Sequence, residues 1–242
     1  MLQRSIMELF YNESLFAEKD LVTFGPEESH HIRRVMRKKV GEMIHVTNGK
    51  GLEWIGQLVK TETRNAIAKK REVILHKDKI VPFHIAVAPT KSNDRLEWLL
   101  EKATEIGVSE ITPLICDHSE RKNIKTERMK KILIRALKQS VQFFLPQLNP
   151  MISFEAFMQL DHPEKKLIAH CQNGNKITLN QIRDLNNDIL ILIGPEGDFS
   201  RREIKTAQNK SFTEISLVEQ RLRTETAAIV ACIKVATLRE IS

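Results

Sequence analysis

DILILIGPEGDFSRREI, residues Asp188–Ile204, decides how this chain is read. Five consecutive apolar residues, Ile189 to Ile193, form the pattern of a strand covered on both faces. Gly194-Pro195-Glu196-Gly197 ends the run, and Ser200 with Glu203 makes the S-x-x-E signature of a helix start. A strand, a glycine-bearing turn and a helix often cradle a phosphate. This turn has no lysine, carries Glu196 and Asp198, and loses an amide donor at Pro195, so it suits a phosphate poorly. A ligand with a cation and hydrogen-bonding edges fits the turn better. The alternative is that the glycines only make a tight connection.

Outward from this unit the alternation repeats. FHIAVAP (83–89), EITPLIC (110–116), KKLIAHC (165–171) and FTEISL (212–217) read as strands. SNDRLEWLLEKATEIGV (92–108) reads as an amphipathic helix, with Leu96, Leu99, Leu100, Ala103 and Ile106 on one side and Gly107 as its stop. TERMKKILIRALKQSVQFF (126–144) and TETAAIVACIKVATLRE (224–240) give two further helices. Strands alternating with helices predict an α/β domain with a parallel sheet covered on both faces.

Before about residue 79 the texture is different. EMIHVTNGKGLEWIGQLVKT (42–61) alternates apolar and polar residues around Asn48-Gly49, a hairpin signal, and NAIAKKREVIL (65–75) continues the strand pattern. PEESHHIRRVMRK (26–38) predicts one helix, with Ile32, Val35 and Met36 on its inner face, Arg33, Arg34, Arg37 and Lys38 around the rest, and Gly41 as the stop. A small barrel with one helix fits this region. The expected boundary lies in DKIVP (78–82), giving domains 1–79 and 80–242.

The 242 residues are 41% hydrophobic and 29% charged, which supports a proper core and excludes global disorder. The first residues lack the apolar core of a signal peptide, and the longest uncharged stretch, Gln139–Phe154, holds two prolines and several amides, so no membrane span is expected. The three cysteines, Cys116, Cys171 and Cys232, are far apart and read as reduced, buried thiols of a cytoplasmic protein. No metal site is expected, because the adjacent His30 and His31 diverge on a helix. Residues 1–79 hold 15 Lys+Arg against 11 Asp+Glu, 80–148 hold 11 against 8, and 149–242 hold 12 against 12. All of the +7 excess therefore lies in the first 148 residues, where it suits a polyanion such as nucleic acid.

Ligands of open parallel sheets bind beyond the carboxyl ends of the strands. Three loops follow strand ends here: His170–Gly174, Gly194–Gly197 and Leu217–Ala227. In the third, Arg221 and Arg223 stand beside Thr224, Glu225 and Thr226 at a helix start, a cluster able to orient a polar or anionic substrate.

HHIRRVMRKKVGE (30–42), RLEWLLEKATEIGV (95–108), LIGPEGDFSRREI (192–204) and RLRTETAAIVA (221–231) resemble, in order and spacing, the motifs of the RsmE-type 16S ribosomal RNA uridine-N3 methyltransferases. The resemblance covers essentially the whole chain. It implies a PUA-like β-barrel followed by a SPOUT domain with a deep trefoil knot, S-adenosylmethionine (SAM) as cofactor, and a homodimer acting on 16S rRNA within the small ribosomal subunit. Gly194 and Gly197 are then expected to touch SAM through their backbone, with Ile193, Leu217 and Leu222 as apolar walls for the adenine. His170, Glu196, Arg223 and Thr226 complete the expected cofactor contacts. Arg223 is expected to fix the target uridine, with Glu225 as a candidate base and His170 as a second. RNA contacts are expected from Arg33, Arg34, Arg37, Lys38, Lys39, Arg121 and Lys122. Competing readings are another RNA or another atom as the target on the same scaffold, or an RNA-binding protein without catalysis.

The chain departs from the family's usual pattern at Asp198, Val218 and Val141, each where glycine is common, and at Glu219 and Gln142. Met7 is a candidate start, with residues 1–6 as an extension.

Overall fold

The computed structural model describes residues 8–62, 64–77, 81–182 and 187–241. The chain divides into two compact units: Met1–Asp78 with Leu137–Leu145, and Lys79–Ala136 with Pro146–Ser242. Asp78–Ile80, within the expected boundary, and residues 1–6 lie outside the described residues.

The first unit is a five-stranded sheet. Its strands are β1 (Leu9–Tyr11), β2 (Leu21–Thr23), β3 (Met43–Thr47), β4 (Leu52–Glu62) and β5 (Asn65–Leu75), in the order β1-β3-β4-β5-β2. The Asn48-Gly49 signal sits in the β3–β4 connection, where Gly49 has φ +73° and the flanking strands pair antiparallel. Alternate residues Ile44, Val46, Trp54 and Leu58 point inward to one core with Phe10 and Ile32. The Trp54 indole N–H donates to the carbonyl of Lys19 at 2.8 Å, so the buried ring keeps its polar handle satisfied.

The single helix expected over 26–38 is shorter. α1 (Pro26–His30) passes into a π-helical turn over His31–Val35, closed by Met36 N–H on the His31 carbonyl. Arg37 follows at φ +55°, which ends the helix before Gly41. The wider turn carries Met36 rather than Val35 toward the core beside Ile32, and Val35 is 64% exposed.

The second unit carries β6 (Phe83–Val87), α2 (Asn93–Ile106), β7 (Glu110–Ile115), β8 (Gln147–Leu148), β9 (Ile152–Ser153), α4 (Phe154–Phe157), β10 (Lys165–Ala169), β11 (Ile177–Thr178), β12 (Ile189–Ile193), α5 (Arg201–Asn209), β13 (Thr213–Ser216) and α6 (Thr224–Ile241). α3 (Thr126–Ser140) spans the division of the chain. The sheet order is β11-β13-β10-β12-β6-β7-β8, with β9 also on β7, and every pairing is parallel. β12 lies between β10 and β6 and all five of its residues are buried, as its uninterrupted apolar run requires. Leu190 and Leu192 meet Phe199, Ile204 and Ala207 on the α5 side, while α6 packs on β6 and β12. Gly107 ends α2 at φ +95°, with its N–H on the Thr104 carbonyl. Among the described residues no helix is long and apolar enough to cross a membrane.

Candidate functional site

The three loops singled out in the sequence line one cavity of about 600 Å³. Ala169–Cys171 contribute from the end of β10, Gly194–Glu196 and Asp198 from the turn after β12, and the unbroken run Ile215–Thr224 from the end of β13. The parallel sheet puts all three at its carboxyl edge, where successive strands open into loops.

The acidic turn is held by the acids themselves. Glu196 Oε1 accepts the Lys91 N–H at 3.0 Å, and Asp198 Oδ2 accepts the Cys171 N–H at 2.9 Å. Asp198 adopts φ +65°, and its Oδ1 accepts the following Phe199 N–H at 2.9 Å. An aspartate tolerates this left-handed position better than most residues because its short carboxylate can bond locally. These two side chains therefore tie the turn to both neighbouring loops. Arg121 secures the same region: its guanidinium donates to the carbonyls of Thr90 at 2.7 Å and Lys91 at 2.5 Å.

Gly194 sits where a side chain does not fit. A Cβ there would lie 3.0 Å from the Phe199 ring and 3.1 Å from the Phe199 amide nitrogen, and Phe199 is fully buried. The Gly194 carbonyl accepts the hydroxyl of Thr224 at 3.1 Å, which joins the second loop to the start of α6. A Cβ on Gly197 would meet the His118 Cβ at 2.8 Å, so its small size serves packing against His118.

His170 is buried, with its Nε2–H directed at Glu214 Oε2, 2.8 Å away, which leaves Nδ1 as an acceptor without a partner. The Gln208 amide holds the Glu214 carboxyl below its usual range, opposed by desolvation and helped by the His170 hydrogen bond. Arg223 is exposed on the cavity wall, and no side-chain partner holds its guanidinium among the described residues. Glu225 is buried off that wall and faces Arg95, with Nε 3.6 Å from Oε1, while its Oε2 has no partner.

His170, Gly194, Glu196, Leu217, Leu222 and Arg223 thus share the cavity. Ile193, Gly197 and Thr226 are not on its wall: Ile193 faces the interior of the sheet, Gly197 faces His118, and Thr226 lies beyond the first residue of α6. Sequence reasoning missed Lys176, and named Cys171 and Asp198 only as members of their loops rather than as lining residues. Cys171 is exposed, contrary to the expectation of three buried thiols, because it lies in the loop two residues beyond β10. Cys116 and Cys232 are buried, and desolvation pushes the Cys232 thiol up to about 12. Val218 does not adopt a positive φ, so valine is accommodated there without backbone strain. Arg33, Arg34, Arg37, Lys39 and Lys122 are exposed, Lys38 lies 3.9 Å from Glu8, and Arg121 is engaged as described.

Residues 77–236 match the RNA methyltransferase domain family, and residues 24–70 match its PUA domain. A ribosomal RNA small subunit methyltransferase E of Rickettsia conorii is 29% identical over 232 residues, covering 94% of each chain. The enzyme of that name from Mesomycoplasma hyopneumoniae is 34% identical over 167 residues, covering 65% of this chain and 70% of its own. A probable rRNA methyltransferase from Porphyromonas gingivalis superposes with a TM-score of 0.90 at 33% identity, covering 97% and 99% of the two chains. A ribosomal RNA small subunit methyltransferase E from Neisseria gonorrhoeae, bound to S-adenosyl methionine, gives 0.83 at 27% identity over 96% and 98%. With its catalytic-domain match spanning more than half of the sequence and its three strand-end loops meeting in one cavity, the chain belongs to the RNA methyltransferase family, in its small-subunit methyltransferase E group.

Proposed function

We propose that this chain is a SAM-dependent methyltransferase that methylates N3 of a uridine in 16S rRNA of the small ribosomal subunit. The observation that carries the reading is the single cavity built by all three strand-end loops, with the unpaired Arg223 on its wall. The residues present fit the cofactor. Leu217 and Leu222 offer apolar wall to an adenine, the cradle at Gly194 excludes a side chain, and Glu196 brings negative charge suited to a sulfonium. When bound, SAM supplies an electrophilic methyl group.

Uridine N3 must lose its proton as it attacks the methyl carbon. Arg223 stabilises the anion that develops on the uracil, an electrostatic contribution. His170, with Nε2–H fixed by Glu214, keeps Nδ1 as an acceptor for a ligand donor or for the departing proton. Glu225, buried against Arg95 and off the cavity wall, acts as a positioning residue at the start of α6.

The wider reading assigns residues 1–79 to a PUA-like RNA-binding domain and 80–242 to a SPOUT domain with a trefoil knot, acting in the cytoplasm. The knot is supported by strand order: β13 enters between β10 and β11, which follow one another in the chain and are separated from β13 by β12. A homodimer is supported by the outer face of α6, where Ile233 is 50% exposed, and by α2, where Trp98 is 44% exposed.

The test is methyl transfer from labelled SAM to small subunits, naked 16S RNA and tRNA, with the product nucleoside identified by mass. The expected product is N3-methyluridine from subunits, reduced at least 100-fold in Arg223→Ala, in line with loss of a transition-state donor. Label on tRNA or on another atom would replace the substrate. No label and no SAM binding would leave an RNA-binding scaffold.

A further inference from the structure

We propose that a second groove, adjoining the cofactor cavity, binds the ribose-phosphate backbone of the RNA strand carrying the target nucleotide. This rests on the RNA methyltransferase reading. The groove has a volume of about 430 Å³ and shares His170 with the cavity. One side is the loop after β10, with Gln172, Asn173 and Asn175; the other is α5, with Arg201 and Lys205.

Arg201 and Lys205 are four residues apart, so α5 presents both cations on one face. Both are exposed, and neither has an acidic partner among the described residues. Arg202, between them in sequence, is held by Asp117 at 2.6 Å and Glu155 at 2.5 Å. The helix therefore separates one structural arginine from two free cations that face the groove. One carboxylate, Glu214, also lines the groove, but Gln208 donates to its Oε1 and His170 to its Oε2, each at 2.8 Å. Two free cations against one hydrogen-bonded carboxylate leave the groove net positive and suited to a phosphodiester.

The loop side adds neutral hydrogen-bonding groups. Gln172 donates its amide to the Phe199 carbonyl at 2.8 Å, which fixes its direction, while Asn173 and Asn175 remain open. His170 closes the wall common to groove and cavity: its side chain is 1% exposed, Nε2 faces Glu214, and Nδ1 is buried. A strand of RNA offers both complements: phosphate for the cations, and sugar hydroxyls for the Asn173 and Asn175 amides. A target base entering the cofactor cavity would leave its own backbone at the adjoining groove.

The experiment uses the full chain with a 16S RNA fragment that it methylates. Arg201→Ala and Lys205→Ala are made singly and together, with Lys205→Arg as the conservative variant; thermal melts confirm folding. RNA binding is measured across salt concentrations, SAM binding by calorimetry, and KM for RNA by methyl transfer. The double variant should bind RNA at least tenfold more weakly and raise KM for RNA, with SAM affinity unchanged within twofold. Its log–log salt slope should fall by about 1.4, the loss of roughly two single-strand phosphate contacts. Lys205→Arg should retain wild-type binding. An unchanged RNA affinity and salt slope would overturn the proposal while leaving the methyltransferase reading intact. A fall in SAM affinity alone would assign the groove to the cofactor site and also overturn it. If the wild-type chain binds no RNA, the functional reading itself fails, and the groove proposal with it.

Discussion

Gly194 shows how one residue can decide whether a ligand fits. The sequence offered two accounts of it, a tight turn or a cofactor contact. The structure shows no room for a side chain: a Cβ meets both the ring and the backbone of buried Phe199. Gly194→Leu should therefore displace Phe199 or the turn itself, costing about 1–3 kcal/mol of stability through overpacking. SAM affinity should fall at least tenfold, measured by calorimetry on folded protein. Wild-type affinity in that variant would remove the turn from the cofactor site. Asp198 makes a related point. Its acidity looked like a property aimed at the ligand, yet both oxygens accept backbone amides, and the one from Cys171 joins two loops. A carboxylate in a binding turn can therefore serve the scaffold first.

At the scale of elements, the ends of helices carry the chain's individuality. The S-x-x-E signature was legible because its chemistry is local: Ser200 Oγ accepts the Glu203 N–H at 3.2 Å, and Glu203 returns a bond to the Ser200 N–H at 2.8 Å. α3 ends differently. The Gln142 N–H reaches the Leu137 carbonyl at 3.1 Å, the long bond of a left-handed helix terminus, and Val141 occupies the position that favours glycine. At φ +53° a β-branched side chain is strained. Val141→Gly should raise stability by roughly 1 kcal/mol, the left-handed penalty partly offset by greater freedom of the unfolded chain. Chemical denaturation measures this directly, and a destabilised variant would show that the valine's packing outweighs its strain. The π-helical turn at His31–Val35 was not legible, because periodicity assumes a constant helical pitch. Arg33, Arg34 and Arg37 remained exposed, Lys38 is half-buried, and Val35 moved to the surface.

Across the second unit, burial couples stability to pH. His84 is the second residue of β6, with Nε2 2.7 Å from the Thr112 hydroxyl, Nδ1 3.8 Å from Glu110, and the Phe157 ring edge-on at 5.9 Å. Desolvation lowers its pKa to about 4, opposed by Glu110 and assisted by His162. His162 is itself lowered, chiefly by burial. The unfolded chain therefore binds more protons between the ordinary histidine range and pH 4. Stability is fully present above about pH 6.5 and is lost as pH falls toward 4, by up to about 3 kcal/mol from His84. Denaturation at several pH values should show this acid limb, and His84→Gln should flatten it. An unchanged limb would place the proton uptake elsewhere.

The sequence alone determined the alternation of strands and helices, the buried strand Ile189–Ile193, the capped start of α5 and the three loops that bear chemistry. These follow from local propensity and periodicity, which act between near neighbours. It also carried the motifs that resemble a methyltransferase family. Only the tertiary structure decided that the three loops close on one cavity, that Glu196 and Asp198 bond neighbouring backbone, and that Glu225 meets Arg95 rather than the cavity. It also separated Arg202 from Arg201 and Lys205. Those facts depend on which strands lie side by side. β13 next to β10 joins residues more than forty positions apart, and no periodicity along the chain encodes such a pairing.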